Sequence, residues 1–141
     1  IEDTCEAINF FSSLPLFDFD SGGYLYFYGL LQALFLQQDA ARNLSLELVN
    51  RDISYKKMYP ELYDIREIRN QSIGHPTSKD KDESFHFVSR ITININGFQL
   101  ISFFPKKEKK EYKNIDIFKV IITQEKIINE ILLNINNNLN I

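Results

Sequence analysis

From Tyr24 to Val49 the sequence YLYFYGLLQALFLQQDAARNLSLELV reads as one long helix. A helix of that length makes the rest of the chain its packing partners. Leu31, Leu34, Phe35, Ala41, Leu44 and Leu48 recur at close to helical spacing. The first half is apolar nearly all round, which places it between neighbours. Gln37, Gln38 and Asp39 interrupt it halfway. Three polar residues in a row are expected to be a solvated turn of helix; the alternative is a polar element facing a site. At 141 residues the chain fits one domain, 1–141, long enough to bury a sizeable core.

The flanking segments divide by the same criteria. Glu2 to Ser13 is expected to be helical, with Cys5, Ile8, Phe11 and Phe10 on one side, ended by Leu14-Pro15. The run Leu16 to Gly23 is turn-rich and reads as a linker. Asn50 to Pro60 reads as a connection with a short helical turn. Glu61 to Ile73 forms another helix, with Leu62, Ile65, Ile68 and Ser72 or Ile73 as its inner stripe.

Phe85, Phe87, Ile91, Ile93 and Ile95 alternate and are expected to share the core face of a strand. Asn96-Gly97 signals a hairpin, and Phe98 to Phe104 is the returning strand, stopped by Pro105. Lys106 to Lys113 reads as a charged turn. From Ile115 the chain is expected to be helical, with an extra strand as rival up to Thr123 because of its β-branched residues. The asparagine-rich end is expected to fray. The fold class is therefore mainly α: an up-and-down helical bundle with a two-stranded β-hairpin inserted at about 85–104, before the last helix.

Several function classes are disfavoured. A net charge of −3 leaves nucleic-acid contact to a local patch rather than to the overall field. One cysteine allows neither an internal disulfide nor a Cys-based metal site, which fits a cytoplasmic protein. The apolar run Tyr24 to Leu36 is cut by Gly29 and Gln32, so no membrane span is expected. The chain begins at Ile1, and its first residues read as the tail of a longer element.

The densest stretch is Asp64-Ile-Arg66-Glu-Ile-Arg69-Asn70-Gln-Ser-Ile-Gly74-His75-Pro76. Arg66 and Arg69 fall late in a helix, where the dipole favours cations. Gly74 can take the left-handed conformation that ends a helix. Pro76 pushes His75 to extended backbone, off the helix, so that its imidazole can swing back toward Arg69. A guanidinium can grip a phosphate by two parallel bonds, and an imidazole can move a proton. The plain alternative is a helix cap, with Arg69 paired to Glu67 or Asp64.

Arg69-Asn70 followed by four residues and His75 resembles the R-x4-6-H motif of HEPN domains, and the surrounding IREIRNQSIGHP is similar to prokaryotic versions. The resemblance covers about fifteen residues and implies a single HEPN-like helical domain, to which the hairpin is an addition. It implies a metal-independent endoribonuclease without cofactors, a toxin or phage-defence effector, active as a homodimer whose two motifs meet. It further implies that His75 is the acid or base for attack of a ribose 2′-hydroxyl, that Arg69 stabilises the phosphate, and that Asn70 orients one of them. RNA is the implied partner, with an antitoxin or a nucleotidyltransferase as a possible second protein. The alternative is a non-catalytic HEPN-like dimerisation or nucleotide-binding module.

Lesser candidates surround this motif. Asp39 could reach Arg69 from the neighbouring helix. Lys106, Lys107, Lys109 and Lys110, with Lys113, form the best basic patch and could touch an RNA backbone, or simply be solvated. His86 is expected to be a solvated strand residue. Tyr55, Tyr59 and Tyr63 either close a core edge or offer stacking faces. Cys5 reads as packing.

Overall fold

In a computed structural model of the chain, residues 1–14, 19–74, 77–78 and 83–139 are described, with only the backbone at 19–21, 74 and 77–78. Helix α1 is Glu2–Ser12, α2 Phe19–Val49, α3 Tyr55–Met58, α4 Pro60–Arg69 and α5 Ile117–Asn138. Strands β1 (Thr77–Ser78), β2 (Ser84–Val88), β3 (Gly97–Phe104) and β4 (Lys109–Asp116) form one antiparallel sheet in chain order.

The long helix α2 organises the molecule, and α1, α4 and α5 all pack on it. Phe27, Leu31 and Leu34 are fully buried along it, against Leu62, Ile65 and Ile68 of α4 and Ile121, Ile128, Ile131 and Ile135 of α5. It begins at Phe19, inside the stretch expected to be a linker. Phe10 and Leu48, expected at inner positions, are exposed, as is Phe118 of α5.

The polar triplet of α2 is not solvated. Gln37 and Gln38 are buried, as is Gln124 of α5. Gln38 Nε2 donates to Gln124 Oε1 at 2.8 Å and to the Leu62 carbonyl at 3.2 Å. Gln124 Nε2 donates to Gln37 Oε1 at 3.0 Å and to the Leu34 carbonyl at 2.7 Å. The Tyr55 hydroxyl donates to the Gln38 carbonyl. Each amide satisfies another, which is the condition for burying polar groups. This joins α2, α4 and α5 at one level. Burial of Tyr55 pushes its hydroxyl pKa up to about 12 and settles it as a core residue.

The β region differs most from expectation. The inserted two-stranded hairpin is instead a sheet of three full strands with the two-residue β1 at its edge, so the fold is mainly helical with an antiparallel sheet before α5. Lys106 to Lys113 is not a turn. Pro105–Lys107 makes a short 3₁₀ turn, Glu108 takes the left-handed conformation at φ 47°, and Lys109 starts β4. The rival strand near Ile115 is real up to Asp116, whose side chain caps α5 by accepting from the Lys119 N–H at 3.0 Å.

Strand β2 stops at Val88, and Arg90–Thr92 is a 3₁₀ turn. Its faces are reversed: Ser84 and Val88 are buried, while Phe85 and Phe87 are exposed. Asn94 and Gly97 close the turn into β3. Gly97 sits at φ 154°, and a Cβ there would collide with the Ile115 carbonyl of β4. Only glycine admits that approach.

Candidate functional site

Helix α4 starts with Pro60 at its first position, where the missing N–H costs nothing. Leu62, Ile65 and Ile68 anchor it to the core. That leaves Arg66 and Arg69, one turn apart, to meet α2 at its edge. Both guanidinium carbons lie over the Phe35 ring, at 3.8 Å for Arg66 and 4.5 Å for Arg69. Cations over a ring face are attracted by its quadrupole.

Their polar partners differ. Arg66 Nη1 donates to Asp39 Oδ1 at 2.8 Å and to Gln38 Oε1 at 3.4 Å, with Tyr55 at 5.7 Å on another side. Arg69 donates from Nε at 3.1 Å and Nη2 at 2.8 Å to Gln32 Oε1. Its Nη1 donates to Asn70 Oδ1 at 3.2 Å. Asp39 thus pairs with Arg66, not with Arg69 as the sequence suggested. The antiparallel run of α2 and α4 places Gln32, two turns before Asp39, opposite the end of α4. The pairing of Arg69 with Glu67 or Asp64 does not occur either.

Gln32 and Phe35 were missed by sequence reasoning. Phe35 looked like a core residue and Gln32 like an interruption. Only the register between the two helices shows that they receive Arg69.

Beyond Arg69 the helical backbone does not stop at once. Asn70–Gly74 continues as a π turn, with the i→i+5 bonding that widens a helix. Ser72 is buried in it, and its hydroxyl has no hydrogen-bond partner among the described residues. His75 and Pro76 lie outside the described residues, so the expected return of the imidazole over Arg69 does too.

Strand β2 packs against this π turn. His86 in it is not a solvated strand residue. It shares hydrogen bonds with Ser84 Oγ through Nε2 at 3.0 Å and with Ser102 Oγ, its cross-strand partner, through Nδ1 at 2.8 Å. Burial lowers its pKa, and the charge of Glu67 on α4 works against that.

The basic patch stands apart. Lys106 and Lys107 lie in the 3₁₀ turn after β3, Lys109 pairs with Glu111 at 2.6 Å, and the Lys110 ammonium stands 6.0 Å from the Phe103 ring. Cys5 is half-buried, and its Sγ accepts from Gln37 Nε2 at 3.4 Å.

Among the described residues no group of His, Cys, Asp and Glu side chains is placed to hold a metal ion, and no helix is long and apolar enough to cross a membrane.

The chemistry available at the end of α4 follows from counting donors. A guanidinium has five N–H groups. Gln32 and Asn70 take three, leaving one on each Nη. Among the described residues no carboxylate lies within ion-pair distance of Arg69. Among the described residues the corner is a planar cation held by neutral amides, with two donors to spare. Comparison with family models, with curated proteins and with solved structures finds no match. The case for a function therefore stands on this geometry and on the motif residues.

Proposed function

We propose that Arg69 holds a phosphodiester and that the chain is a metal-independent endoribonuclease of the HEPN kind, a cytoplasmic toxin or phage-defence effector. The observation that supports this is the state of Arg69, clamped by the neutral Gln32 and Asn70 with one donor left on each Nη. Two parallel bonds, one from each Nη, would grip a phosphate end-on, since Gln32 already occupies the Nε–Nη2 edge.

In the reaction the ribose 2′-oxygen attacks the adjacent phosphorus. The bond to the 5′-oxygen of the next nucleotide breaks, giving a 2′,3′-cyclic phosphate and a 5′-hydroxyl. The 2′-hydroxyl loses a proton and the leaving oxygen gains one; the motif assigns this exchange to His75. Arg69 stabilises the charge that builds on the phosphoryl oxygens. Asn70 sets the angle of the guanidinium through Nη1. The substrate brings its own nucleophile, so none is required of the protein. The working form in this reading is a homodimer with the two corners on one cleft, restrained by an antitoxin or nucleotidyltransferase partner.

Cleavage of RNA in the presence of a chelator, compared for the wild type, Arg69→Ala and His75→Ala, tests the reading. Loss of cleavage in both variants, with circular dichroism unchanged, is expected. Undiminished cleavage by His75→Ala removes that residue from the mechanism.

A second reading has its own support. Strand β2 packs directly on the π turn, as expected if the corner serves a non-catalytic dimerisation or nucleotide-binding module. Nucleotide binding that depends on Arg69, without cleavage of any RNA tested, would favour it.

A further inference from the structure

The sheet has a second face that neither the core nor the Arg69 corner uses. Its inner side carries Val88, Leu100 and Ile115, all buried. Side chains alternate along a strand, and cross-strand partners share a face. The register therefore puts two rows outward: Phe85, Phe103 and Lys110, then Phe87, Ile101 and Tyr112. Phe87 is 51% exposed and Tyr112 61%. An antiparallel sheet with one face on the core ordinarily turns polar residues to the other. An aromatic outer face marks an interaction site.

We propose that this face is a docking platform for single-stranded RNA. Stacking surfaces, hydrogen-bonding groups and cations are the three things such a surface needs. Neighbouring rows are about 7 Å apart along the strands, so successive rings stand as separate platforms. The next outward row is the amide pair Gln99 and Asn114, joined at 3.0 Å from Gln99 Nε2 to Asn114 Oδ1. It borders an open groove also lined by Asn94 and Asn96, whose amides can meet base edges and 2′-hydroxyls. At the other end of the rows is the turn into β4. From Lys106 to Lys110 there are four lysines against one glutamate, in a chain whose net charge is −3. Lys110 continues the outer row of Phe103, while Lys109, opposite Phe104, shares the other face and pairs with Glu111. The positive charge is gathered where the aromatic rows end, complementary to a phosphate backbone. A second copy of the chain is less well matched, because it would bring the same basic turn to the interface. The choice of RNA over DNA rests on the proposed ribonuclease function; the platform itself does not.

Fluorescence anisotropy of a labelled single-stranded oligouridylate, titrated with the full chain in chelator, tests the platform. Tyr112→Ala and Phe87→Ala, each folded by circular dichroism, should weaken binding by about ten-fold, and Lys110→Ala should flatten its salt dependence. Arg69→Ala should leave these aromatic contributions in place while abolishing cleavage, so failure of the platform and failure of the Arg69 assignment are separate outcomes. Wild-type affinity in both aromatic variants overturns the proposal. Tighter binding of the matching deoxyoligonucleotide overturns the choice of RNA. Self-association in sedimentation that Tyr112→Ala abolishes, with RNA affinity unchanged, assigns the face to a second copy instead.

Discussion

Arg66 and Arg69 stand one turn apart on α4 and share the Phe35 ring, yet they are chemically different cations. Arg66 is closed: a carboxylate, a glutamine and two rings surround it, and its side chain is 20% exposed. Arg69 is equally fixed in place, but by amides that accept hydrogen bonds without carrying charge. Order and neutralisation are separable, and a binding site for an anion needs the first without the second. On the proposed function, one helix supplies a structural ion pair and a phosphate clamp within three residues.

The sharpest way to break this distinction is Arg69→Ala. It should lower RNA cleavage by at least about 100-fold, the scale of losing a donor to a developing oxyanion, while costing only about 1 kcal/mol in a denaturant melt. A stability loss without a change in cleavage would make Arg69 another Arg66.

Gln32→Glu converts one type into the other. A carboxylate at that position would pair with both Nε and Nη2, raising the melting temperature slightly. Phosphate would then meet a neutralised cation, and cleavage should drop by about ten-fold, equivalent to ~1.4 kcal/mol of lost attraction. Cleavage unaffected by the new charge would argue that no anion approaches Arg69.

Asp39→Asn performs the reverse operation at Arg66. The pair is partly exposed, with Asp39 at 39%, so its loss should cost no more than about 1 kcal/mol in thermal unfolding and leave cleavage unchanged. A marked fall in cleavage would show that Arg66 helps to hold the substrate.

The smallest effect concerns His86. Burial lowers its folded pKa, so the unfolded chain binds a proton more readily. Stability should therefore be fully present above the usual histidine value near 6.5 and decline as pH falls through it toward the folded value. His86→Gln should remove that slope in pH-dependent melts.

The helices were legible because their apolar residues repeat at helical spacing over many turns. The buried amides were not, since Gln38 and Gln124 are far apart in the chain and each looks solvated without the other. Strand β4 was legible only at its end, near Ile115, for a related reason. Nearly all its residues are exposed, and a run such as KKEYKN carries no alternation. Phe85 and Phe87 gave the right alternation and the wrong face, because a period of two does not say which side is the core. In the site, Arg69 and Asn70 could be singled out from the motif alone. Their partners Gln32 and Phe35 depended on how α2 and α4 slide past each other, which no local pattern encodes.

The amide junction has a mechanical consequence. Gln38 grips α4 at the Leu62 carbonyl, seven residues before Arg69, or about 10 Å along the helix axis. The same glutamine is tied to α5 through Gln124. Helix α4 is thus pinned at its third residue, and the buried Ile65 and Ile68 hold the length between that pin and Arg69. A load applied at Arg69 cannot be relieved by axial sliding of the helix. Whatever yields must lie beyond the last buried anchor, Ile68, where the backbone widens at Asn70–Gly74.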